Sequence, residues 1–85
     1  MIHVKDFYLR KPDRDFGEGW FRTAGGYLLR GAIAGQGDID LPEILRTVKA
    51  SGYDGYISLE FEGMEQCETG TRLGLAQVRK LWNEV

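Results

Sequence analysis

Eighty-five residues are enough for one small domain with a thin core, and 42% hydrophobic with 28% charged residues is typical of a globular protein. The formal net charge of −2 argues against nucleic-acid and membrane-surface proteins, which usually carry a basic excess. The single cysteine, Cys67, excludes an internal disulfide and a cysteine-based zinc site. We find neither an apolar run of membrane-spanning length nor a signal-peptide pattern, so we expect a cytoplasmic protein.

The N-terminal part of the chain predicts a short strand followed by a long loop. In the strand, residues 1–5, Ile2 and Val4 lie on one side of the pleat and His3 on the other. Residues 6–37 show no sustained hydrophobic period and contain many glycines and six aromatic residues. We therefore predict a folded but irregular loop, with a short extended piece over residues 27–34.

The C-terminal part predicts a helix, a strand and a second helix. Asp40 and Glu43 form a capping box that begins the first helix, and Gly52 is expected to end it in a left-handed conformation. Its apolar face is predicted to contain Leu41, Ile44, Leu45 and Val48. A strand over residues 56–61 and a polar loop over residues 62–69 follow. The last helix, over about residues 71–83, is predicted to bury Leu75, Val78, Leu81 and Trp82.

This order of elements predicts an α/β fold in which the two strands are parallel and joined by a right-handed crossover. Parallel sheets are usually covered on both faces and contain more than two strands. We therefore expect the chain to be part of a larger sheet, either within a longer protein or completed by partner chains.

Each of the two predicted strands carries a possible metal ligand, His3 in the first and Glu60 near the end of the second. Adjacent strands lie about 4.8 Å apart, and ligand–metal bonds are about 2.0–2.2 Å long. One cation can therefore bridge this imidazole and this carboxylate. The simpler alternatives are a solvated carboxylate for Glu60 and a hydrogen-bonded histidine for His3.

Three segments together resemble the sugar phosphate isomerase/epimerase family. They are His-Val-Lys-Asp at 3–6, Gly-Gln-Gly-Asp-Ile-Asp at 35–40 and Gly-Tyr-Asp-Gly-Tyr-Ile-Ser-Leu-Glu-Phe-Glu-Gly at 52–63. The resemblance spans nearly the whole chain and implies a xylose-isomerase-like TIM barrel. It identifies residues 1–85 as the C-terminal portion, a partial TIM barrel made of the last two βα units. We expect that barrel to be completed by oligomerisation or by a missing N-terminal part.

The resemblance also implies a chemistry. The family holds a divalent ion (Mn²⁺, Mg²⁺, Co²⁺ or Zn²⁺) with a Glu, an Asp, a His and a second Glu. His3 matches the histidine and Glu60 the second glutamate, which makes Glu60 the catalytic carboxylate as well. Because the other two ligands have no counterpart, we expect a weakly held metal and no activity of the isolated chain. The expected function is a keto-sugar or polyol isomerase/epimerase-type domain; the alternative is a non-catalytic small-ligand or protein-interaction module derived from that fold.

Several other residues are candidates for substrate contacts. The resemblance implies that Arg10, shortly after the histidine strand, contacts substrate, and Arg22, Arg30 and Trp20 lie among the aromatic residues of the long loop. For the arginines the alternative is a solvated charge, and for Trp20 it is packing within the loop.

The remaining polar residues bear on the kind of ligand. We expect Asp6 to orient a neighbour or to lie near the metal, and Lys5 to be structural. We expect Glu62 and Glu65 to be solvated; the alternative is that they form hydrogen bonds with sugar hydroxyls. Asp38 and Asp40 beside the glycine-rich turn at 35–37 would repel phosphate there, so the expected ligand is a neutral sugar or polyol. We expect no nucleic-acid or membrane partner.

Overall fold

The computed structural model describes residues 1–85, which form five strands and two helices in a mixed α/β arrangement. The strands are β1 (Ile2–Val4), β2 (Asp6–Arg10), β3 (Phe21–Arg22), β4 (Leu28–Ala32) and β5 (Ile57–Leu59). The helices are α1 (Leu41–Ala50) and α2 (Cys67–Glu84). The strands form two separate sheets that do not close into a barrel. Neither helix is long and apolar enough to cross a lipid bilayer.

The first sheet pairs β1 and β5 in parallel, which confirms the predicted relation of these strands. His3 lies opposite Ser58, and Val4 lies opposite Leu59. The ladder continues past the strand, because the N–H of Glu60 donates to the Val4 carbonyl at 2.9 Å. β5 is shorter than the predicted strand over residues 56–61, but its register brings both C-terminal strand ends to the same edge.

The hydrophobic core lies between this parallel sheet and the two helices. Its buried members are Val4, Ala34, Leu41, Leu45, Val78 and Leu81. Val4 is buried while His3 is exposed, as the alternation of side chains along the strand predicts. Only 12 of the 85 residues are buried, so the core is thin. The apolar residues of the parallel sheet pack against the core on one face, and His3 on the opposite face is exposed.

The prediction of an irregular loop over residues 6–37 is wrong in part, because this segment contains a three-stranded antiparallel sheet in the order β2-β4-β3. β2 and β4 pair over five residues, with Asp6 opposite Ala32 at one end. Glycine here marks turns between strands: Gly26, between β3 and β4, has a φ of 86°, a conformation that favours glycine. The extended piece expected over residues 27–34 is confirmed as β4.

Helix α1 begins and ends as predicted. The Asp40 side chain accepts a hydrogen bond from the Glu43 N–H, and Gly52 has a φ of 78°. One detail of its apolar face is wrong. Ile44 is 45% exposed, because the core lies on the side of Leu41 and Leu45.

Helix α2 begins one turn before the predicted start, at Cys67. The side-chain oxygen of Gln66 accepts a hydrogen bond from the Thr69 N–H and so caps the helix. The last residues of the predicted polar loop are therefore helical. The buried stripe also differs from the prediction. Gly70 and Gly74 face the core, and Leu75 is left 38% exposed.

Close backbone contact joins β4 to the segment that follows β5, because Gly31 forms a parallel bridge to Gly63. A Cβ atom at Gly31 would lie 2.4 Å from the Glu62 carbonyl carbon and oxygen. Because backbone cannot rotate away as a side chain can, we expect Gly31→Ala to lower the free energy of unfolding by about 2–3 kcal/mol. Chemical denaturation measures this loss. Gly25→Ala is the matched control, since its nearest neighbour lies at 3.8 Å and no positive φ is involved; an equal loss in both variants would contradict the expectation.

Candidate functional site

Four charged or ionisable side chains meet where β1 and β5 end, and we call them the strand-end cluster: His3, Lys5, Glu60 and Glu62. His3 and Lys5 are two residues apart on one extended segment, and Glu60 and Glu62 are two apart on the other. Because alternate residues of an extended chain point to the same side, each segment presents a pair of side chains to the other pair.

The cluster is held by three short contacts. His3 Nδ1 lies 2.6 Å from Glu60 Oε1, and Lys5 Nζ lies 2.9 Å from Glu60 Oε2. Lys5 Nζ also donates to Glu62 Oε1 at 2.9 Å. Glu60 is central to the cluster because it contacts both His3 and Lys5. Its side chain is 33% exposed, so it is less accessible than that of His3, which is 55% exposed. The predicted meeting of His3 and Glu60 at one sheet edge is confirmed as geometry.

Electrostatics within the cluster favour the charged forms. The hydrogen bond from Lys5, followed by that from His3, lowers the pKa of the Glu60 carboxyl below its ordinary value of 4.5. Hydrogen bonds to Glu60 and then Glu62 raise the pKa of the Lys5 ammonium above its ordinary value of 10.5. Glu60 is therefore an ionised carboxylate at neutral pH.

These shifts predict how stability depends on pH. Because the pKa of Glu60 is lowered on folding, its contribution is complete above pH 4.5 and is lost as the pH falls through the folded-state pKa. The raised pKa of Lys5 acts at the other end, where its contribution is complete below pH 10.5. We expect the urea midpoint to fall between about pH 6 and about pH 3, and Lys5→Met to weaken this fall. The same pH dependence in wild type and Lys5→Met would contradict the assignment.

The residues present do not by themselves make a divalent-metal site. No group of three or more His, Cys, Asp or Glu side chains is placed to hold a metal ion. The hydrogen bond of 2.6 Å joins His3 Nδ1 directly to Glu60 Oε1, so in this arrangement these two atoms bind each other and do not share an ion. The other Glu60 oxygen is bound by the Lys5 ammonium. Catalytic zinc sites usually have three protein ligands, and this chain presents fewer.

Asp6 organises the backbone beside the cluster. It is only 2% exposed and accepts four backbone hydrogen bonds. Its Oδ2 is 2.9 Å from the nitrogens of Gly35 and Gly37, and its Oδ1 is 2.8 Å from that of Phe7 and 3.2 Å from that of Ile39. The expectation that Asp6 orients a neighbour is thus confirmed, and the neighbour is the turn that leads into α1.

The predicted substrate residues lie on the antiparallel sheet. The Arg30 guanidinium lies 4.9 Å from the ring centroid of Tyr8 and 5.5 Å from that of Trp20, and its buried Nε has no hydrogen-bond partner. Arg10 instead pairs with Asp38 at 2.8 Å. A hydrogen bond from the Leu9 N–H lowers the pKa of the Asp38 carboxyl, and the hydrogen bond from the Arg10 side chain lowers it further.

Arg22 is exposed on β3. Among the four predicted substrate residues, Arg30 and Trp20 are in contact with each other. None of Arg10, Arg22, Arg30 or Trp20 forms a hydrogen bond or an ion pair with His3 or Glu60.

Sequence reasoning missed two members of the strand-end cluster, Lys5 and Glu62. The signal was present in their spacing. A cation two residues after His3 and an anion two residues after Glu60 must face each other once the strands pair in parallel. Since the pairing of these strands was itself predicted, the ion pairs follow from it.

The comparisons with known proteins agree with the geometry of the parallel strands. A family model described as xylose isomerase-like TIM barrel matches residues 1–81 of the chain. No curated protein and no solved structure matches it significantly. The family match covers both strands of the parallel sheet, both helices but for the last turn of α2, and the whole strand-end cluster. The chain belongs to the xylose isomerase-like TIM barrel family.

Proposed function

We propose that the protein is a sugar isomerase- or epimerase-type domain that acts on a neutral keto-sugar or polyol. The observation that carries the proposal is the contact of 2.6 Å between His3 Nδ1 and Glu60 Oε1 at the ends of adjacent parallel strands. Active sites of barrels with this topology lie at that end of the strands. Family membership supports the same class of chemistry.

In this proposal Glu60 is the group that moves a proton. Isomerisation beside a carbonyl needs a base to remove the carbon-bound proton, and a carboxyl group can act as that base only in its ionised form. Lys5 and His3 keep Glu60 ionised, because their hydrogen bonds lower its pKa. The proposal takes Arg30 and Trp20, which lie against each other, as the substrate contacts.

The isolated chain is inactive in this proposal and holds a divalent ion weakly. It supplies only one carboxylate for proton transfer and two of the expected metal ligands. The parallel sheet has two strands and one uncovered face, which favours completion by further strands, from an oligomer or from another part of a barrel. Cys67 is exposed and unpaired, which favours a reducing compartment such as the cytoplasm.

Titration with Zn²⁺ or Mn²⁺ tests the proposal. We expect wild type to bind at least about tenfold more tightly than His3→Ala and Glu60→Ala, since each variant removes one donor. Glu84→Ala is the matched control, because Glu84 is an exposed carboxylate at the far end of α2. Equal binding by all four proteins would remove the isomerase proposal.

One observation favours a second function, a non-catalytic small-ligand or protein-interaction module. Both oxygens of Glu60 are already bound, one by His3 and one by Lys5, so the cluster also works as a purely structural ion-pair network. The same titration separates the two functions, because a structural network predicts equal metal binding in wild type and variants.

The mass of the protein in solution tests completion of the sheet by copies of the chain. We expect sedimentation at micromolar concentration to show a dimer or a larger assembly, because open sheet edges pair readily. A strictly monomeric chain over the whole concentration range would rule out self-completion.

A further inference from the structure

A groove of about 530 Å³ lies between β5 and the second half of α2 and contains no member of the strand-end cluster. Seven of its eleven lining residues are hydrophobic, and two of these stay well exposed: Tyr56 at 81% and Leu75 at 38%. Leu75 is exposed although it belongs to the stripe of α2 that the sequence predicts to be buried. We call this surface the β5 groove; its apolar lining includes Tyr56, Ile57, Leu59, Leu75, Val78 and Trp82.

The backbone beside the β5 groove lacks a partner strand. The N–H of Ile2 donates to the Tyr56 carbonyl at 3.1 Å, which shows that the backbone groups of Tyr56 face β1. Because backbone groups of successive residues point to opposite edges of a strand, those of Ile57 and Leu59 face the other edge. β5 pairs only with β1 in its sheet, so this edge presents two N–H and two C=O groups that no strand binds.

The free edge of β5 also carries no protection against pairing. Native proteins often protect a free edge with a proline or with charged side chains, lysine above all. The three residues of β5, Ile57, Ser58 and Leu59, include neither. The edge is therefore open to another strand.

The charges of the β5 groove favour a copy of the same surface as that partner. Asp54 and Arg79 are the only charged residues of its lining, and neither forms an ion pair within the chain. Two such grooves that face each other carry no net charge, and each offers the other both a carboxylate and a guanidinium. A strongly acidic or basic partner finds no such match.

We propose that the β5 groove binds a second copy of the chain across a two-fold axis, with the two β5 strands paired antiparallel. One register uses every free group of the edge, because Ile57 then pairs with the partner's Leu59, and Leu59 with the partner's Ile57. Ser58 lies opposite the partner's Ser58, on the axis. The product is a four-stranded sheet with the β5 strands at its centre, in which each groove covers the other.

The inference rests on the self-association expected under the proposed function and names the surface that is used. It does not depend on isomerase chemistry. Because the central strands run antiparallel, the two strand-end clusters lie at opposite ends of them. Dimer formation and metal binding can therefore be tested separately.

Sedimentation of the full chain over a range of concentrations tests the apolar part of the surface. We expect Leu75→Glu to raise the dissociation constant of the dimer by about tenfold or more, because it places an unpaired charge in the interface. Leu73→Glu is the matched control, since Leu73 lies on the same helix with 37% exposure but outside the groove. Its dissociation constant should stay within about twofold of wild type. Circular dichroism spectra show whether each variant is folded.

Cysteine cross-linking tests the register. In a Cys67→Ser background, we expect Ser58→Cys to form a disulfide-linked dimer on oxidation. The Cα atoms of a non-hydrogen-bonded antiparallel pair lie about 4.5 Å apart, within the range of about 4.4–6.8 Å that a disulfide spans. Ser51→Cys in the same background is the control, because Ser51 is exposed at the end of α1 and should stay unlinked.

Three results would overturn the proposal. They are a strictly monomeric wild type, equal dissociation constants for folded Leu75→Glu and Leu73→Glu, and no more cross-linking of Ser58→Cys than of Ser51→Cys. Association through another surface gives the second and third results, and it leaves the isomerase proposal standing.

Discussion

Replacing Asp6 with alanine is expected to lower the free energy of unfolding by about 4 kcal/mol, the largest effect that we expect from any single side chain. Asp6 is buried and accepts four backbone N–H bonds from β2 and from the turn before α1. Alanine leaves these donors without a protein partner. Each hydrogen bond to a charged acceptor contributes about 1.5–3 kcal/mol, and water that binds the freed donors in the variant offsets part of the total loss. A domain of this length has about 4–13 kcal/mol of stability in total, so much of it would be lost.

Thermal unfolding followed by circular dichroism measures this loss, with an expected drop in Tm of roughly 20 °C. Asp13→Ala is the matched control, because Asp13 is exposed and its side chain makes no hydrogen bond within the protein; its change should stay within about 0.5 kcal/mol. Asp6→Asn keeps the size but replaces one acceptor oxygen with a donor, and it should be nearly as unstable as Asp6→Ala. A loss below about 1 kcal/mol in Asp6→Ala would show that the four bonds do not hold the turn.

Replacing Lys5 with methionine is expected to tighten Zn²⁺ binding by roughly thirtyfold. The Lys5 ammonium bridges Glu60 and Glu62 at 2.9 Å from each, where it neutralises the two carboxylates and repels a dication. Even in water, a single positive charge about 4 Å from a dication repels it strongly enough to weaken binding by about this factor. Its removal also leaves the Glu62 carboxylate without its ammonium partner.

Calorimetric titration with Zn²⁺ at neutral pH measures the gain. Lys80→Met is the matched control, because Lys80 is exposed on α2 and forms no ion pair. The double variant Lys5→Met/Glu60→Ala should lose most of the gain if the released carboxylates bind the ion. Equal affinity of Lys5→Met and Lys80→Met would mean that the ammonium does not exclude metal from the cluster.

The elements that could be predicted from the sequence are those defined by local patterns. Asp40 begins α1 with a capping side chain, and Gly52 follows its end in a left-handed conformation. Both effects depend only on residues nearby in the sequence. The contact of His3 and Glu60 followed from the position of each residue in its strand and from the parallel topology. These predictions needed no knowledge of distant contacts beyond the pairing of two strands.

The parts that were missed depend on contacts between distant residues. β3 has only two residues, too few to show a period, and its strand character comes from pairing with β4. The first turn of α2 contains Gly70, a poor helix former. A Cβ there would lie 2.4 Å from the Phe61 ring, so the close packing of that ring on the glycine explains why the helix extends so far. Neither feature is visible in a local window of sequence.

The two halves of the strand-end cluster are separated by 57 positions along the chain. The length-dependent part of the entropy cost of closing a flexible segment of that length is roughly 3.5 kcal/mol. This cost comes before the pairing of the strands can stabilise the closed chain. High contact order of this kind slows folding, whereas α1 needs only its own residues to form. We therefore expect β1 to join β5 late in folding, so that the cluster is absent from any early intermediate.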